Sequence, residues 1–187
     1  MLKLVIMILL LSIVSGGGVH GGGRGGGHDS SSHDNNNYDC SQYNGKTYQL
    51  VIDYKIFNAY QFLVLHSDKT TTLIDSTESN PDFTGTSIII QPFTTTLGKW
   101  SCCGRNRIRV DAVNYNLQEP GTTLPITISY YHTSLTIYGK SVKGKYNYAN
   151  YPVGTDPTSS DAVPVPGQTF GPFDVSGEEI NLPQRCR

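Results

Sequence analysis

The sequence lacks a strong net charge, and this argues against several classes of partner. Fourteen Lys and Arg residues stand against 15 Asp and Glu residues, a formal net charge of −1. A chain this close to neutral has no broad basic surface for nucleic acid or for an anionic membrane. Arg105, Arg107 and Arg109 form a local basic cluster, but on a strand they share one face, which we interpret as solvated. We therefore predict no nucleic-acid partner.

Signatures of catalysis and of cofactor binding are also missing. The sequence contains no Gly-x-Ser-x-Gly turn and no phosphate-binding glycine loop, so we predict no cofactor. His66 and His132 are interpreted as surface residues of turns. Asp53, Asp75 and Asp111 occupy polar strand positions, where solvated carboxylates are expected. An enzyme is the less favoured hypothesis, because one of these aspartates would have to point into a barrel and act as a base, as in barrel isomerases and cyclases.

Long hydrophobic runs are absent except at the start of the chain. Residues 4–14 are an apolar run of eleven residues, preceded by Lys3 and followed by Ser15 and glycines. This run is too short to span a bilayer and is typical of a signal peptide, which we assign to residues 1–16. No second run approaches a membrane span, and the last residues form no hydrophobic tail. The expected location is therefore extracellular, by secretion.

Residues 17–37 consist almost entirely of Gly, Ser, Asn, His and Asp, with almost no apolar side chain to offset the entropy of ordering. We predict that they are disordered and that the folded domain comprises residues 38–187. If the signal were cleaved after Gly17, the new terminus Gly18-Val19-His20 would suit Cu(II) or Ni(II), with His20 as the metal ligand. Cleavage after Gly16 would weaken that site. The alternative interpretation is a solubilising linker with incidental histidines.

The four cysteines are Cys40, Cys102, Cys103 and Cys186. An even number in a secreted chain favours two disulfides. A bond between the adjacent Cys102 and Cys103 would strain the peptide that joins them. Cys40 and Cys186 are therefore each expected to bond one member of the central pair, and the sequence leaves open which takes which.

The strand pattern dominates the rest of the chain, and no segment beyond the signal has helical periodicity. Alternating apolar and polar residues predict about eight strands joined by short turns. They include residues 48–56, a hairpin with arms 62–65 and 71–74, residues 87–91, 107–112 and 124–130, a return strand that starts at 135 after a turn at 132–134, and residues 170–175. This pattern predicts an all-β fold, an antiparallel up-and-down barrel. A β-sandwich is the alternative; an immunoglobulin type is the weaker choice, because Trp100 lies beside its cysteines rather than some tens of residues away.

Residues 63–76 (LVLHSDKTTTLIDS) resemble the strand, Asp-Gly-Thr turn and strand of small secreted calycin-like barrels. The matching pieces that follow are Gly98-Lys99-Trp100, Gly104 and the stretch between Gly139 and Gly144, so that the resemblance covers about residues 47–180. Lys69 replaces the usual turn glycine, and the Gly-x-Trp lies in mid-chain, whereas lipocalins carry theirs on the first strand. The resemblance implies a calycin-like barrel and no particular binding residue.

A secreted, disulfide-stapled barrel of this kind is expected to bind a small apolar or carbohydrate ligand. The alternatives are a structural or interaction protein with a filled barrel and, less favoured, a barrel isomerase or cyclase. Tyrosine is abundant, with 12 residues, and its concentration around residues 130–151 indicates either cross-strand packing or a binding face. The residues predicted to line the interior, with Trp100 closing one end, are Leu50, Ile52, Trp100, Ile108, Val110, Ile126, Ile128 and Tyr146.

Overall fold

The structure, a computed structural model, describes residues 38–79, 91–118 and 121–182. Four of the sequence predictions concern residues outside these ranges and remain predictions. They are the signal peptide, the disordered segment with His20, most of the strand at 87–91, and the disulfide of Cys186. In the described ranges no helix is both long enough and apolar enough to cross a bilayer.

Eight antiparallel strands form a closed barrel in simple sequence order, with β8 pairing back onto β1. This confirms the predicted all-β, up-and-down barrel. A short 3-10 helix, Ser41–Tyr43, precedes the strands. The strands are β1 (Lys46–Asp53), β2 (Asn58–Leu65), β3 (Thr70–Asp75), β4 (Thr96–Gly104), β5 (Arg107–Asn116), β6 (Thr127–Tyr138), β7 (Ser141–Pro152) and β8 (Thr169–Ile180).

The hairpin of β2 and β3 turns through residues 66–69, as its sequence predicts. Lys69 has a φ of 69°, the left-handed conformation that glycine adopts without strain, at the position where the resembling barrels carry glycine. The Asp68 carboxylate stabilises the turn by accepting hydrogen bonds from the Thr70 amide at 3.0 Å and the Thr70 hydroxyl at 2.6 Å. The hydrogen bonds between Asp68 and Thr70 thus help to hold Lys69 in a left-handed conformation that favours glycine.

The structure corrects the prediction for β6 and its turn. The predicted turn at residues 132–134 is wrong, because β6 runs without a break to Tyr138 and the turn follows at Gly139, whose φ is 60°. Ile126 and Ile128 were also expected to face inward, yet Ile126 is 47% exposed and Ile128 lies on the outward parity of the strand. The buried positions are instead Thr127 and Ser129, whose hydroxyls find interior hydrogen-bond partners. Hydrophobicity therefore indicated the wrong face of this strand.

One disulfide joins Cys40 to Cys102, with 5.9 Å between the Cα atoms and a sequence separation of 62. This confirms that Cys40 bonds a member of the central pair. Cys103 is exposed and has no disulfide partner in the described part of the chain. Its predicted bond to Cys186 stays a prediction.

The barrel interior divides into two halves of different chemistry. The short turns that follow β2, β4 and β6, together with the Cys40–Cys102 bond, lie at one end, and the longer connections that follow β3, β5 and β7 lie at the other. Towards the short turns the interior is mainly apolar; this apolar half contains Leu63, Leu65, Leu73, Trp100, Ile108, Leu135, Ile137 and Val142. Towards the long connections the interior holds most of its buried polar side chains, beside buried aromatic rings; this polar half contains Gln61, Asp75, Thr96, Asn114, Asn116, Thr127, Ser129 and Asn150.

Candidate functional site

Most of the residues predicted to line the interior belong to the hydrophobic core. This core cluster includes Leu50, Ile52, Trp100, Ile108, Val110 and Tyr146. Trp100 lies towards the short-turn end, where its indole Nε1 donates a hydrogen bond to the His66 carbonyl at 3.0 Å. The Lys69 ammonium lies 3.7 Å from the centroid of the Trp100 ring. Ile126 and Ile128, on the outer wall, are separated from the rest of the set.

The polar half is built around Asn114 and Asn116 of β5. Both face the barrel interior, as Ala112 does, because alternate residues of a strand lie on the same face. The Asn114 amide donates to the Thr96 hydroxyl and to the Tyr131 phenol, both at 2.9 Å. The Asn116 amide donates to the hydroxyls of Thr127 at 2.8 Å and Ser129 at 2.7 Å. Such side-chain networks inside a barrel position hydrogen-bonding groups rigidly, because each member constrains the next.

Two buried polar atoms of the interior have no hydrogen-bond partner in the described part of the chain. They are the carboxamide oxygen of Asn114 and the hydroxyl of Thr133. Asn114 is 3% exposed and Thr133 2% exposed, so bulk water does not satisfy them. Buried polar atoms are nearly always paired, and an unpaired one calls for a partner such as a water or a ligand. These two atoms therefore make their surroundings a candidate binding site, which we call the interior site.

Asp75, at the end of β3, points into the barrel rather than to solvent. The residue is 8% exposed, which corrects its interpretation as a solvated carboxylate. Its Oδ1 accepts hydrogen bonds from the Thr77 amide at 2.8 Å and hydroxyl at 2.7 Å, whereas Oδ2 has a long contact of 3.4 Å with the Gln61 amide. Burial raises the pKa of the Asp75 carboxyl, and the hydrogen bonds offset only part of that effect.

Aromatic rings lie beside these polar groups. Tyr131 lies with its ring centroid 5.6 Å from that of Tyr146 and 5.3 Å from that of Tyr148. Tyr54 contacts Tyr146 edge-on at 6.4 Å and Phe173 at 4.6 Å. Burial raises the pKa of all four phenols, so they remain neutral hydrogen-bond donors at physiological pH.

The other predicted acids and histidines lie outside the barrel. Asp53 forms an exposed ion pair with Lys55, and Asp111 bonds Arg109, Tyr130 and His132 on the outer face of β5 and β6. His132 lies in the middle of β6 rather than in a turn. Two concavities also lie on the outer wall, one of about 340 Å³ along β6, β7 and β8 and one of about 380 Å³ along β1, β7 and β8.

Sequence reasoning missed Gln61, Asp75 and Asn114 as interior residues. A signal was present in β5, where Asn114 and Asn116 follow Ile108, Val110 and Ala112 at the same two-residue spacing. Alternation places all five on one face, whatever their polarity. Polar residues that continue the inward-facing positions of an apolar strand thus indicated where the barrel interior changes from apolar to polar.

No group of three or more His, Cys, Asp or Glu side chains suited to a metal occurs in the described ranges.

The barrel architecture is compatible with that of the calycins. In comparisons with known proteins, no family model, no curated protein and no solved structure matched the chain.

Proposed function

We propose that this chain is a secreted binding protein, folded over residues 38–187, whose barrel holds a small ligand in the polar half. Of the expected ligand types, we propose a compact apolar ring that carries at least one hydroxyl or amino group, which would complement the buried amides and phenols. The observation that carries the proposal is the unpaired carboxamide oxygen of Asn114, because it lacks a donor that such a ligand would supply.

The surroundings of Asn114 support a ring rather than a chain. Tyr131 accepts a hydrogen bond from Asn114 and also stacks near Tyr146 and Tyr148, so a planar ligand would meet aromatic faces and an amide together. Offset and tilted aromatic contacts add about 0.5–1.5 kcal/mol each beyond burial. A purely apolar ligand would leave Asn114 and Thr133 unpaired, at a cost of about 1–3 kcal/mol for each group.

Thermal unfolding with matched probes tests the proposal. We expect 4-ethylphenol at saturating concentration to raise the melting temperature by several degrees, and ethylbenzene and dodecanoate to raise it less. Asn114→Leu should abolish the rise, whereas Tyr115→Phe, on the opposite face of the same strand, should keep it. If no phenol or aromatic amine shifts the transition, the filled, structural barrel is the better description.

A second candidate function, proton-transfer catalysis of the isomerase or cyclase type, is favoured by Asp75. A buried carboxyl with a raised pKa and one weakly bonded oxygen is suited to take up or deliver a proton. Asp75→Asn separates the two functions: a pure binder retains its ligand unchanged, whereas a catalyst binds the ligand and no longer converts it, as judged by product analysis of the bound fraction.

A further inference from the structure

Three side chains on the outer face of β5 and β6 form hydrogen bonds to the carboxylate of a fourth, Asp111. Arg109 donates two hydrogen bonds to the Asp111 carboxylate, at 2.7 and 3.1 Å. The Tyr130 hydroxyl and the His132 Nδ1 each lie 2.9 Å from Asp111 Oδ1. The network holds exposed and half-exposed side chains in one arrangement on a face that contributes nothing to the core.

This network fixes the tautomer of His132. Partial burial acts to raise the pKa of the Asp111 carboxyl. The hydrogen bonds from Arg109, His132 and Tyr130 outweigh that effect and hold this pKa below its usual value. An ionised carboxylate only accepts, so in the neutral form of the imidazole it is Nδ1 that carries the proton. Nε2 is then left with a lone pair, and it has no hydrogen-bond partner within the described residues. The outer wall thus presents a pre-oriented acceptor.

The acceptor borders the concavity of about 340 Å³, which forms where the ladder between β7 and β8 is interrupted. Tyr146 pairs with Phe173 and Tyr148 with Phe170, so one residue of β7 faces two of β8, Gly171 and Pro172. Gly171 has a φ of 101°, and a Cβ atom there would lie 2.7 Å from the Tyr146 carbonyl oxygen. Bulges of this kind recur beside binding sites because they redirect side chains.

The lining combines ring surfaces with a few polar groups. Pro172 and the Tyr130 ring supply apolar surface, and Phe170 also borders the concavity, although its ring stacks on Tyr148 of the interior cluster with 4.7 Å between centroids. His132, Asn147 and Thr169 contribute hydrogen-bonding groups to the same concavity. The Asp111 charge is compensated by Arg109, so no uncompensated charge faces the site. A volume of about 340 Å³ is at the lower end for ligand pockets and fits one or two small rings.

We propose that this outer concavity, the wall site, binds a neutral pyranose sugar. The C–H face of a pyranose packs on Pro172 and the Tyr130 ring, and one ring hydroxyl donates to His132 Nε2. Asn147 and Thr169 bond the neighbouring hydroxyls. Tyr148 borders both sites, but the hydrogen-bonding groups of the wall site, His132, Asn147 and Thr169, are not those of the interior site.

Titration of the ¹⁵N-labelled mature protein with maltose, cellobiose, lactose and N,N′-diacetylchitobiose tests the wall site. We expect saturable amide shifts on β6, β7 and β8 around Asn147 and Gly171 with at least one of these sugars. His132→Gln should weaken that binding about tenfold, the loss of one ordinary hydrogen bond. Ser134→Ala, two residues along the same outer face, is the matched control and should bind as the wild type does.

The His132 side chain is 34% exposed, so the His132→Gln variant should fold, as its melting temperature will show. The absence of saturable shifts with all four sugars would overturn the proposal, as would sugar binding that His132→Gln leaves intact.

Discussion

The Lys69 ammonium lies over the indole of Trp100, 3.7 Å from the ring centroid, although Lys69 itself has a left-handed backbone conformation. The contact stabilises the folded protein, whereas the left-handed conformation destabilises it. A cation over an aromatic face stabilises by about 0.5–1 kcal/mol at an exposed site, whereas a side chain at positive φ costs about 1–2 kcal/mol.

This opposition predicts an order of stabilities for variants of Lys69. Lys69→Ala loses the contact with Trp100 and keeps the strain, so it should be the least stable. Lys69→Gly loses the contact but relieves the strain, and should exceed Lys69→Ala by about 1 kcal/mol in urea unfolding. Equal stabilities for the two variants would show that the turn is not strained.

The cysteines give a prediction about connectivity. Peptide mapping of the unreduced protein should find Cys40 bonded to Cys102 and Cys103 bonded to Cys186. Replacing both Cys40 and Cys102 by alanine opens a loop with a sequence separation of 62. The free energy of unfolding should fall by up to about 4 kcal/mol in the chain-entropy model. A free thiol at Cys103 in the oxidised protein would contradict the second pair.

The orientation of β6 is tested by two neighbouring residues. Ser129 is fully buried; it accepts a hydrogen bond from Asn116 and donates one to Asn150 at 2.6 Å. Ser129→Val should therefore destabilise by about 1–3 kcal/mol, because Asn116 loses one of its two acceptors and the Asn150 carboxamide oxygen loses its donor. Ile128→Thr, the matched control on the outer face, should change stability by less than about 0.5 kcal/mol. The opposite order would mean that Ile128 faces inward.

Because burial raises the pKa of the Asp75 carboxyl, we expect the free energy of unfolding to depend on pH. Its folded pKa is raised, so ionisation opposes folding: the penalty is absent below the unfolded pKa of about 3.9 and develops as pH rises through the folded pKa. Asp75→Asn should therefore be more stable than the wild type at pH 7, with a difference that vanishes near pH 3. Chemical unfolding across this range measures it. A difference that grows towards low pH would contradict a raised pKa.

The sequence predicts the barrel well because period-two alternation and short turns are local signals. The turn at His66 to Lys69 is an example. The same signal failed at Ile126 and Ile128, because which face of a strand is buried depends on partners across the sheet. The hydroxyl of the buried Thr127, for example, accepts its hydrogen bond from Asn116 on the neighbouring strand.

The interior position of Asp75 was unpredictable for a similar reason. Its carboxylate is satisfied by Thr77 and contacted by Gln61 from another strand, so neither local pattern nor charge distinguishes it from the exposed Asp53. The network of Asp111 with His132 likewise forms only because β5 and β6 pair with these two residues opposite each other.

The most direct test of the interior site observes the side-chain amide of Asn114 by NMR during titration. The account predicts that 4-ethylphenol shifts the Asn114 amide resonances saturably, because its hydroxyl donates to the carboxamide oxygen, and that ethylbenzene at equal concentration does not. Asn114 resonances that stay unchanged while 4-ethylphenol binds elsewhere, or the same shift with ethylbenzene, would contradict it.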